Sequence, residues 1–260
     1  MNQEWCAIQV KELGEAMARQ GFPVTIPCIS NEDFHIDIGS NLAPYIDHTL
    51  LKPEATLHEI KTAIEQAARY QFASVCLAPR FVALAKRMLV GKNTAVCTVI
   101  GFPLGASTTV TKMVECRDAV ANGADELDMV LPISCLKHGD YVAVYKDIQS
   151  VVEAAQGRIV KVILETSLLT KEEIGRSCLL AKMAGASFVK TSTGFSQSGA
   201  SEEDIQLMRK FVGSDMGVKA SGGIRDRQSA MAMLQGGASR IGTSAGVAIV
   251  QGTKGEVDAY

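Results

Sequence analysis

From about residue 44 onward, short apolar runs alternate with stretches in which apolar residues return at helical spacing. Eight of the runs read as strands, at 45–48, 74–78, 94–102, 126–131, 159–166, 187–192, 217–221 and 239–243. Runs this short, apolar throughout and bounded by turn residues, suit strands covered on both faces. The intervening stretches carry helix patterns such as Ile60, Ala63, Ile64 and Ala67, a stripe along one side of a helix. Three of them open on Thr56-Leu57-His58-Glu59, Thr170-Lys171-Glu172-Glu173 and Ser201-Glu202-Glu203-Asp204, which read as capping boxes. Three end on related exits, Asn122-Gly123-Ala124-Asp125, Ala184-Gly185-Ala186-Ser187 and Gly236-Gly237-Ala238-Ser239, where glycine supplies a left-handed cap before the next strand.

A strand–helix unit repeated eight times predicts an α/β fold, a closed (β/α)8 barrel of the TIM type, with a doubly wound open sheet as the competing architecture. Residues 1–43 stand outside the repeat. Residues 10–19 read as a helix that Pro23 and Pro27 end, so this segment is expected to be an N-terminal extension packing on the barrel of residues 44–252. Residues 253–260 read as a flexible tail.

Composition narrows the function. The chain has 260 residues, 47% of them hydrophobic, enough for one large core. Its formal charge is only −2, its basic residues are scattered, and aromatic residues are few, which argues against nucleic acid as a partner. Cys6, Cys28, Cys76, Cys97, Cys116, Cys135 and Cys178 form no C-x-x-C pair and several lie in apolar runs, as reduced packing residues of a cytoplasmic protein do. The opening M-N-Q-E-W-C-A-I is acidic where a signal peptide is basic, and no run is long enough to span a membrane. His35, His48, His58 and His138 are not at ligand spacing, so no metal site built on histidine is expected.

Two lysines carry the chemistry. Lys190 in S-F-V-K-T-S-T-G and Lys219 in G-V-K-A-S-G-G-I-R each end an apolar run. A strand lysine at a sheet edge commonly snorkels to solvent. Two that are buried together lose hydration and repel, so one of the pair is expected to have a depressed pKa and serve as a neutral amine, a carbonyl nucleophile. The loops that follow, Ser192-Thr193-Gly194 and Ser221-Gly222-Gly223, offer hydroxyls and open backbone N–H groups to a phosphate. Asp128 in A-D-E-L-D-M-V-L-P shares a strand face with Glu126 and Val130. It reads either as an ion-pair partner of a buried lysine such as Lys161 or as an acid/base group, and the two are compatible.

These residues lie in motifs that resemble the deoxyribose-phosphate aldolase family over about residues 44–252: Y-I-D-H-T-L-L-K-P, S-V-C-L-A-P, V-I-G-F-P-L-G, D-E-L-D-M-V, K-V-I-L-E-T, V-K-T-S-T-G-F, K-A-S-G-G-I-R and R-I-G-T-S, in the family's order. The resemblance implies a metal-independent, cofactor-free class I aldolase of deoxyribonucleoside catabolism that reversibly splits 2-deoxy-D-ribose 5-phosphate into acetaldehyde and D-glyceraldehyde 3-phosphate. It implies Lys190 as the Schiff-base former, Lys219 as the group that perturbs it and relays protons, and Asp128 as the acid/base. Asp47, Cys76 and Lys161 match positions lining the same pocket. Thr193, Gly194, Gly222, Gly223, Gly242, Thr243 and Ser244 match phosphate-binding loops, with Arg225 adding only a general field. A homo-oligomer, dimer or tetramer, is implied as well.

The chain departs from some relatives by carrying Phe195 where they carry a lysine, which removes one charge from the phosphate side. It ends in Tyr260, which in some relatives reaches the site as a proton carrier and otherwise belongs to the tail. A Schiff-base barrel enzyme for another phosphorylated sugar would also use a strand lysine and phosphate loops. A silent phospho-sugar binding protein would need no pair of desolvated lysines.

Overall fold

All eight apolar runs become parallel strands: β1 Ile46–Leu50, β2 Ser74–Leu77, β3 Ala95–Ile100, β4 Glu126–Val130, β5 Ile159–Ile163, β6 Phe188–Lys190, β7 Gly217–Ser221 and β8 Arg240–Thr243. Each pairs with the next and β8 pairs with β1, which closes a TIM barrel and excludes the open sheet. This computed structural model describes residues 3–27, 34 and 36–253. Cys28, His35 and residues 254–260 of the tail, Tyr260 included, lie outside the described residues.

The helices among the described residues are α1 Gln3–Arg19, α2 Leu57–Tyr70, α3 Val82–Met88, α4 Thr109–Ala121, α5 Ile133–His138, α6 Tyr141–Ala154, α7 Lys171–Met183, α8 Glu202–Val212, α9 Arg227–Gln235 and α10 Gly246–Gln251. Strand alternation divides the interior in two. Leu127, Met129, Val160, Val162, Val189, Val218 and Ile241 face outward into the large core under the helices. The residues between them, Asp128, Lys161, Lys190 and Lys219 included, face into the barrel.

Two strands stop short of their apolar runs for local reasons. The β3 run ends at Ile100 because Gly101 takes φ 62° and the Phe102–Pro103 peptide is cis. The β5 run ends at Ile163, and two residues on Glu165 sits in the left-handed region at φ 58°, ψ 62°. Helix starts follow the expected capping in two cases. Thr56 N–H donates to Glu59 Oε2 at 2.7 Å and Thr170 N–H to Glu173 Oε2 at 2.8 Å, with the return bonds from the Glu N–H groups present. The third is only half a box. Ser201 Oγ accepts from Asp204 N–H at 3.1 Å, but the Asp204 carboxylate turns to Lys171 Nζ at 2.7 Å. Gly123, Gly185 and Gly237 all take positive φ at the helix exits.

The N-terminal helix is longer than its pattern predicts, beginning at Gln3 rather than at residue 10. Its buried stripe is Cys6, Gln9, Leu13 and Met17, and the polar Gln9 interrupts the apolar period. The stripe packs on α6 and α7. Arg176 of α7 secures it, donating to Gln9 Oε1 at 3.0 Å, Glu12 Oε2 at 2.6 Å and Tyr141 Oη at 2.7 Å.

The strand ends that frame the barrel's mouth are held from outside by α4. Lys112, fully buried, donates to the Val130 carbonyl at the end of β4 (2.9 Å) and to Asp147 of α6 (2.6 Å). Glu115 accepts from the Gly101 N–H at 2.7 Å, just past β3. Removing one partner of a buried ion pair strands the other, so Lys112→Met is expected to lower unfolding free energy by about 3–5 kcal/mol. Lys112→Met with Asp147→Leu should recover most of that loss. Urea unfolding of both variants checks this, and equal losses in both would show that the pair's charges are not what matters.

Candidate active site

Asp128 is the hub of the barrel interior. Its Oδ1 accepts from Lys161 Nζ at 2.8 Å and lies 3.2 Å from Cys97 Sγ. Its Oδ2 accepts from Lys190 Nζ at 2.9 Å and from Lys219 Nζ at 2.8 Å. All four charged side chains are buried, Lys190 being 2% exposed and the others fully enclosed. The register explains the convergence. Asp128 is the direct partner of Lys161 across β4–β5, Lys190 of Lys219 across β6–β7, and inward positions recur every second residue.

Beneath this hub lies a floor in which Asp47, Lys161 and Lys219 meet Arg240 and Glu126, two residues the sequence reading did not assign to the site. Arg240, the first residue of β8, meets Asp47 Oδ1 at 2.6 Å and Glu126 Oε2 at 3.0 Å. Lys161 also pairs with Glu126 at 2.6 Å and with Asp47 at 3.4 Å, and Lys219 pairs with Asp47 at 2.5 Å. Glu126 and Arg240 occupy the opening positions of their strands, where a charged residue reads as a solvated end. In a barrel those positions converge on a closed base.

The electrostatics follow from this crowding. Burial would raise the Asp128 carboxyl, but the Lys161, Lys190 and Lys219 ammonium groups hold it well below the usual carboxylate range. Asp47 is lowered in the same way, burial being overcome by Lys161, Lys219 and Arg240. Burial alone would depress Lys219, yet Asp128 and Asp47 push it above the ordinary lysine value. Lys161 is raised for the same reason, with Cys97 and Glu126 adding to the two aspartates. Lys219 is therefore not the depressed member of the 190/219 pair, because Asp128 and Asp47 outweigh both burial and the Lys161 cation.

The opposite wall is apolar. Leu51, Cys76, Cys97 and Val99 cluster there, with Ala78 and Phe102 against them. Cys76, expected to line the pocket, stands in this wall beside Cys97, its partner on the next strand, which the sequence reading did not single out. These two sulfurs and an Asp128 oxygen lie within 4.8 Å of one another, the spacing of metal donors. With three ammonium groups already on or beside that carboxylate, the set is ill suited to a cation. His48 faces the outer core, its Nε2 at 3.0 Å from Gln66 Oε1.

The loops after β6, β7 and β8 stand side by side at the carboxyl end of the barrel, where TIM-barrel sites form. Gly194, Gly222 and Gly223 take φ of 91°, 89° and 79°, open to glycine and strained for other residues. A Cβ on Gly199 would fall 2.1 Å from the Gly222 carbonyl oxygen, so the two loops touch backbone to backbone. Ser244 follows β8 and is exposed. The other members of the expected phosphate set have close neighbours within the protein. A Cβ on Gly242 would be 2.9 Å from Lys219 Cε, so this glycine makes room for the lysine. Thr243 Oγ1 donates to the Ile224 carbonyl at 2.7 Å and accepts from Ala245 N–H at 2.9 Å. Thr193 Oγ1 donates to Glu165 Oε2 at 2.5 Å and accepts from Phe195 N–H at 3.0 Å. Both hydroxyls shape loops, leaving backbone groups for an anion. Glu165, whose carboxyl burial raises, was not legible in the sequence, since it lies inside the run 159–166 read as a strand. Phe195 stacks edge-on against Phe102, centroids 5.4 Å apart, above the pocket.

Comparison with known proteins agrees with this geometry. Residues 41–252 match the model of the DeoC/LacD family aldolases. A deoxyribose-phosphate aldolase of Bacillus mycoides is 57% identical over 222 residues, 85% of this chain and 100% of that protein. One from an Exiguobacterium species is 57% identical over 218 residues, 84% and 99% of the two chains. The tetrameric deoxyribose phosphate aldolase of Aeropyrum pernix superposes with a TM-score of 0.77 at 32% identity, covering 92% of this chain and 95% of its own. The chain belongs to the DeoC/LacD aldolase family.

Acid should weaken the cluster in a defined window. Asp47 has a folded-state pKa below its unfolded value of about 3.9, so its stabilisation is complete above that value and fades as pH falls toward the folded pKa. Asp47→Asn is therefore expected to cost about 3 kcal/mol or more at pH 7. The gap to wild type should stay constant down to about pH 5 and narrow below about pH 4. Denaturant unfolding across that range tests it; a gap that widens in acid would contradict the assigned sign.

Proposed function

We propose that this DeoC/LacD family member reversibly cleaves 2-deoxy-D-ribose 5-phosphate to acetaldehyde and D-glyceraldehyde 3-phosphate through a Schiff base on Lys190. The observation that carries the reading is the placement of Lys190 Nζ, 2.9 Å from a carboxylate it shares with Lys219, at the mouth end of an otherwise closed charge cluster.

Charge balance supports Lys190 as the nucleophile. Asp47, Glu126 and Asp128 face Lys161, Lys190, Lys219 and Arg240, three carboxylates against four cations. Lys161 is held by Asp47, Glu126 and Asp128, and Lys219 by Asp47 and Asp128. Lys190 pairs with Asp128 only, among the described residues, and ends the strand nearest the mouth.

The neutral amine adds to C1 of the open-chain sugar, and loss of water leaves an iminium beside the Asp128 anion, which stabilises its positive charge. The C2–C3 electrons then flow into the iminium. The C3 hydroxyl proton leaves through water toward Asp128 and Lys219, which yields the phosphorylated aldehyde and an enamine. Protonation at C2 restores an iminium, and hydrolysis frees acetaldehyde and Lys190. Asp128 is too acidic to hold a proton alone, so it works as a relay with Lys219, the permanent cation on the same oxygen. The two-carbon fragment fits the apolar wall of Leu51, Cys76 and Val99. The phosphate is met by backbone at Gly194, Gly222, Gly223 and Ser244, with no lysine at position 195. Buried free cysteines suit the reducing cytoplasm, and no helix among the described residues is long and apolar enough to cross a membrane. Homo-oligomerisation, as in the Aeropyrum relative, completes the proposal.

Borohydride treatment with acetaldehyde should leave a reduced adduct on Lys190. Lys190→Ala should lose both the adduct and cleavage of 2-deoxyribose 5-phosphate, whereas Asp128→Asn should still be trapped while turnover falls by about 10²- to 10⁴-fold. A chelator should change neither. Mapping the adduct to Lys161 or Lys219, or cleavage by Lys190→Ala, would overturn the assignment.

A further inference from the structure

The mechanism above makes no use of the sulfur chemistry of the pocket. Cys76 and Cys97 are direct Cα partners on the parallel strands β2 and β3. Such partners lie roughly 4.8 Å apart, inside the span of roughly 4.4–6.8 Å that disulfides bridge. Both point into the barrel, both are fully buried, and their sulfurs lie within 4.8 Å of each other. Leu51 and Val99 confine them in the apolar wall, so neither thiol has another cysteine of the described residues to meet.

The geometry points to a redox modification site: hydrogen peroxide entering the substrate pocket converts the Cys76 and Cys97 thiols to a disulfide that disables the Asp128 cluster until a thiol reduces it. Any opening that admits a sugar to Lys190 admits peroxide. Cys76 is the attacking sulfur. The hydrogen bond from Cys97 lowers its pKa and Lys219 and Lys190 assist, against burial and Asp128, while Cys97 is raised by burial. In the first step the Cys76 sulfur takes one oxygen from peroxide, the O–O bond breaks, and one water leaves with a sulfenic acid in place. In the second the Cys97 sulfur displaces that oxygen as a second water and the S–S bond forms. Two thiols lose two electrons and two protons, and one peroxide becomes two waters.

Closing the bridge has a direct consequence. Cys97 Sγ sits 3.2 Å from Asp128 Oδ1 and accepts from Lys161 Nζ at 3.3 Å. Moving toward Cys76, it abandons both, and the Asp128 carboxylate loses one of the contacts that set its angle toward Lys190 and Lys219. At roughly 4.8 Å the Cα spacing lies at the short end of the disulfide span, below the usual ~5.5–6 Å, so the bridge should be readily reduced.

The effect on turnover rests on the aldolase reading, but the bond does not, and mass spectrometry reads the bond separately. Wild-type protein treated with stoichiometric hydrogen peroxide should lose the mass of two hydrogens and give a cross-linked peptide pair containing Cys76 and Cys97. Cleavage of 2-deoxyribose 5-phosphate should fall by about 10²-fold, the scale of an ångström-sized misplacement in a catalytic cluster, and dithiothreitol should restore it. Cys97→Ser, compared with its own untreated rate, should form no cross-link and show no dithiothreitol-reversible loss. Peroxide inactivation with both thiols still open to alkylation, a cross-link through another cysteine, or a cross-linked enzyme at full rate would each overturn the proposal. Should the serine variant fail to fold, the wild-type peptide map decides alone. A cross-link in a protein that never cleaves the sugar would uphold the bond and sink the aldolase reading instead.

Discussion

Charge neutralisation in a dry interior is the constraint on which the rest depends. Bare, each ion in the barrel would cost several kcal/mol to desolvate, and burial pushes Asp128 and Lys219 toward their uncharged forms. The mutual attraction of Asp47, Glu126 and Asp128 with Lys161, Lys219 and Arg240 reverses that push. The arrangement works only if these groups stand within hydrogen-bonding reach, which requires five different strands to hold register. The closed barrel supplies the register, since every strand is fixed by two neighbours and no edge can slip. The outer core then has a second task beyond burying surface: α4, through Lys112 and Glu115, pins the ends of β3 and β4 from which the site opens.

The interior is also polarised across its width. Strands β1 to β3 contribute Leu51, Cys76, Cys97 and Val99, while β4 to β8 contribute the charges, Asp47 being the exception that crosses over to meet Arg240. An iminium and its carbon fragment have the same division: a cationic end and an apolar one. A pocket with ions on all sides would hold a methyl group poorly, and a uniformly apolar one would not hold the carboxylate that faces the iminium. Strand order therefore sets substrate orientation before any loop contributes.

How much of this the sequence disclosed depended on whether a signal was local. Strand existence was local, because each run is apolar and bounded, and all eight appear in the expected order. Strand ends were less so: 94–102 shortens at Gly101 and 159–166 before Glu165, where the backbone leaves the extended region. The start of α1 was hidden by Gln9, a buried polar residue whose reason is Arg176, far along the chain. In the site, Lys190, Lys219 and Asp128 stood out as charges inside apolar runs. Arg240 and Glu126 did not, because their neutralisation is visible only when strands 114 residues apart meet. Thr193 and Thr243 sat in the right loops, but that their hydroxyls are spent on Glu165 and Ile224 is a tertiary fact.

Three lysines share one aspartate, and the difference among them comes from depth. Lys161 sits lowest, against the floor carboxylates Asp47 and Glu126 as well as Asp128, so its proton is the most firmly held. Lys219 sits between, spanning Asp47 and Asp128, and Gly242 clears the space its chain occupies. Lys190 ends β6, and beyond it the chain turns into Ser192, Thr193 and Gly194. Glu165, whose carboxylate interacts with Lys190, stands on that side of the cluster. The proposed reaction needs its nucleophile near the loops, and Lys190 is the one of the three lysines that a single aspartate holds. Lys219, held by two carboxylates, leaves it as the one nucleophile of that reaction.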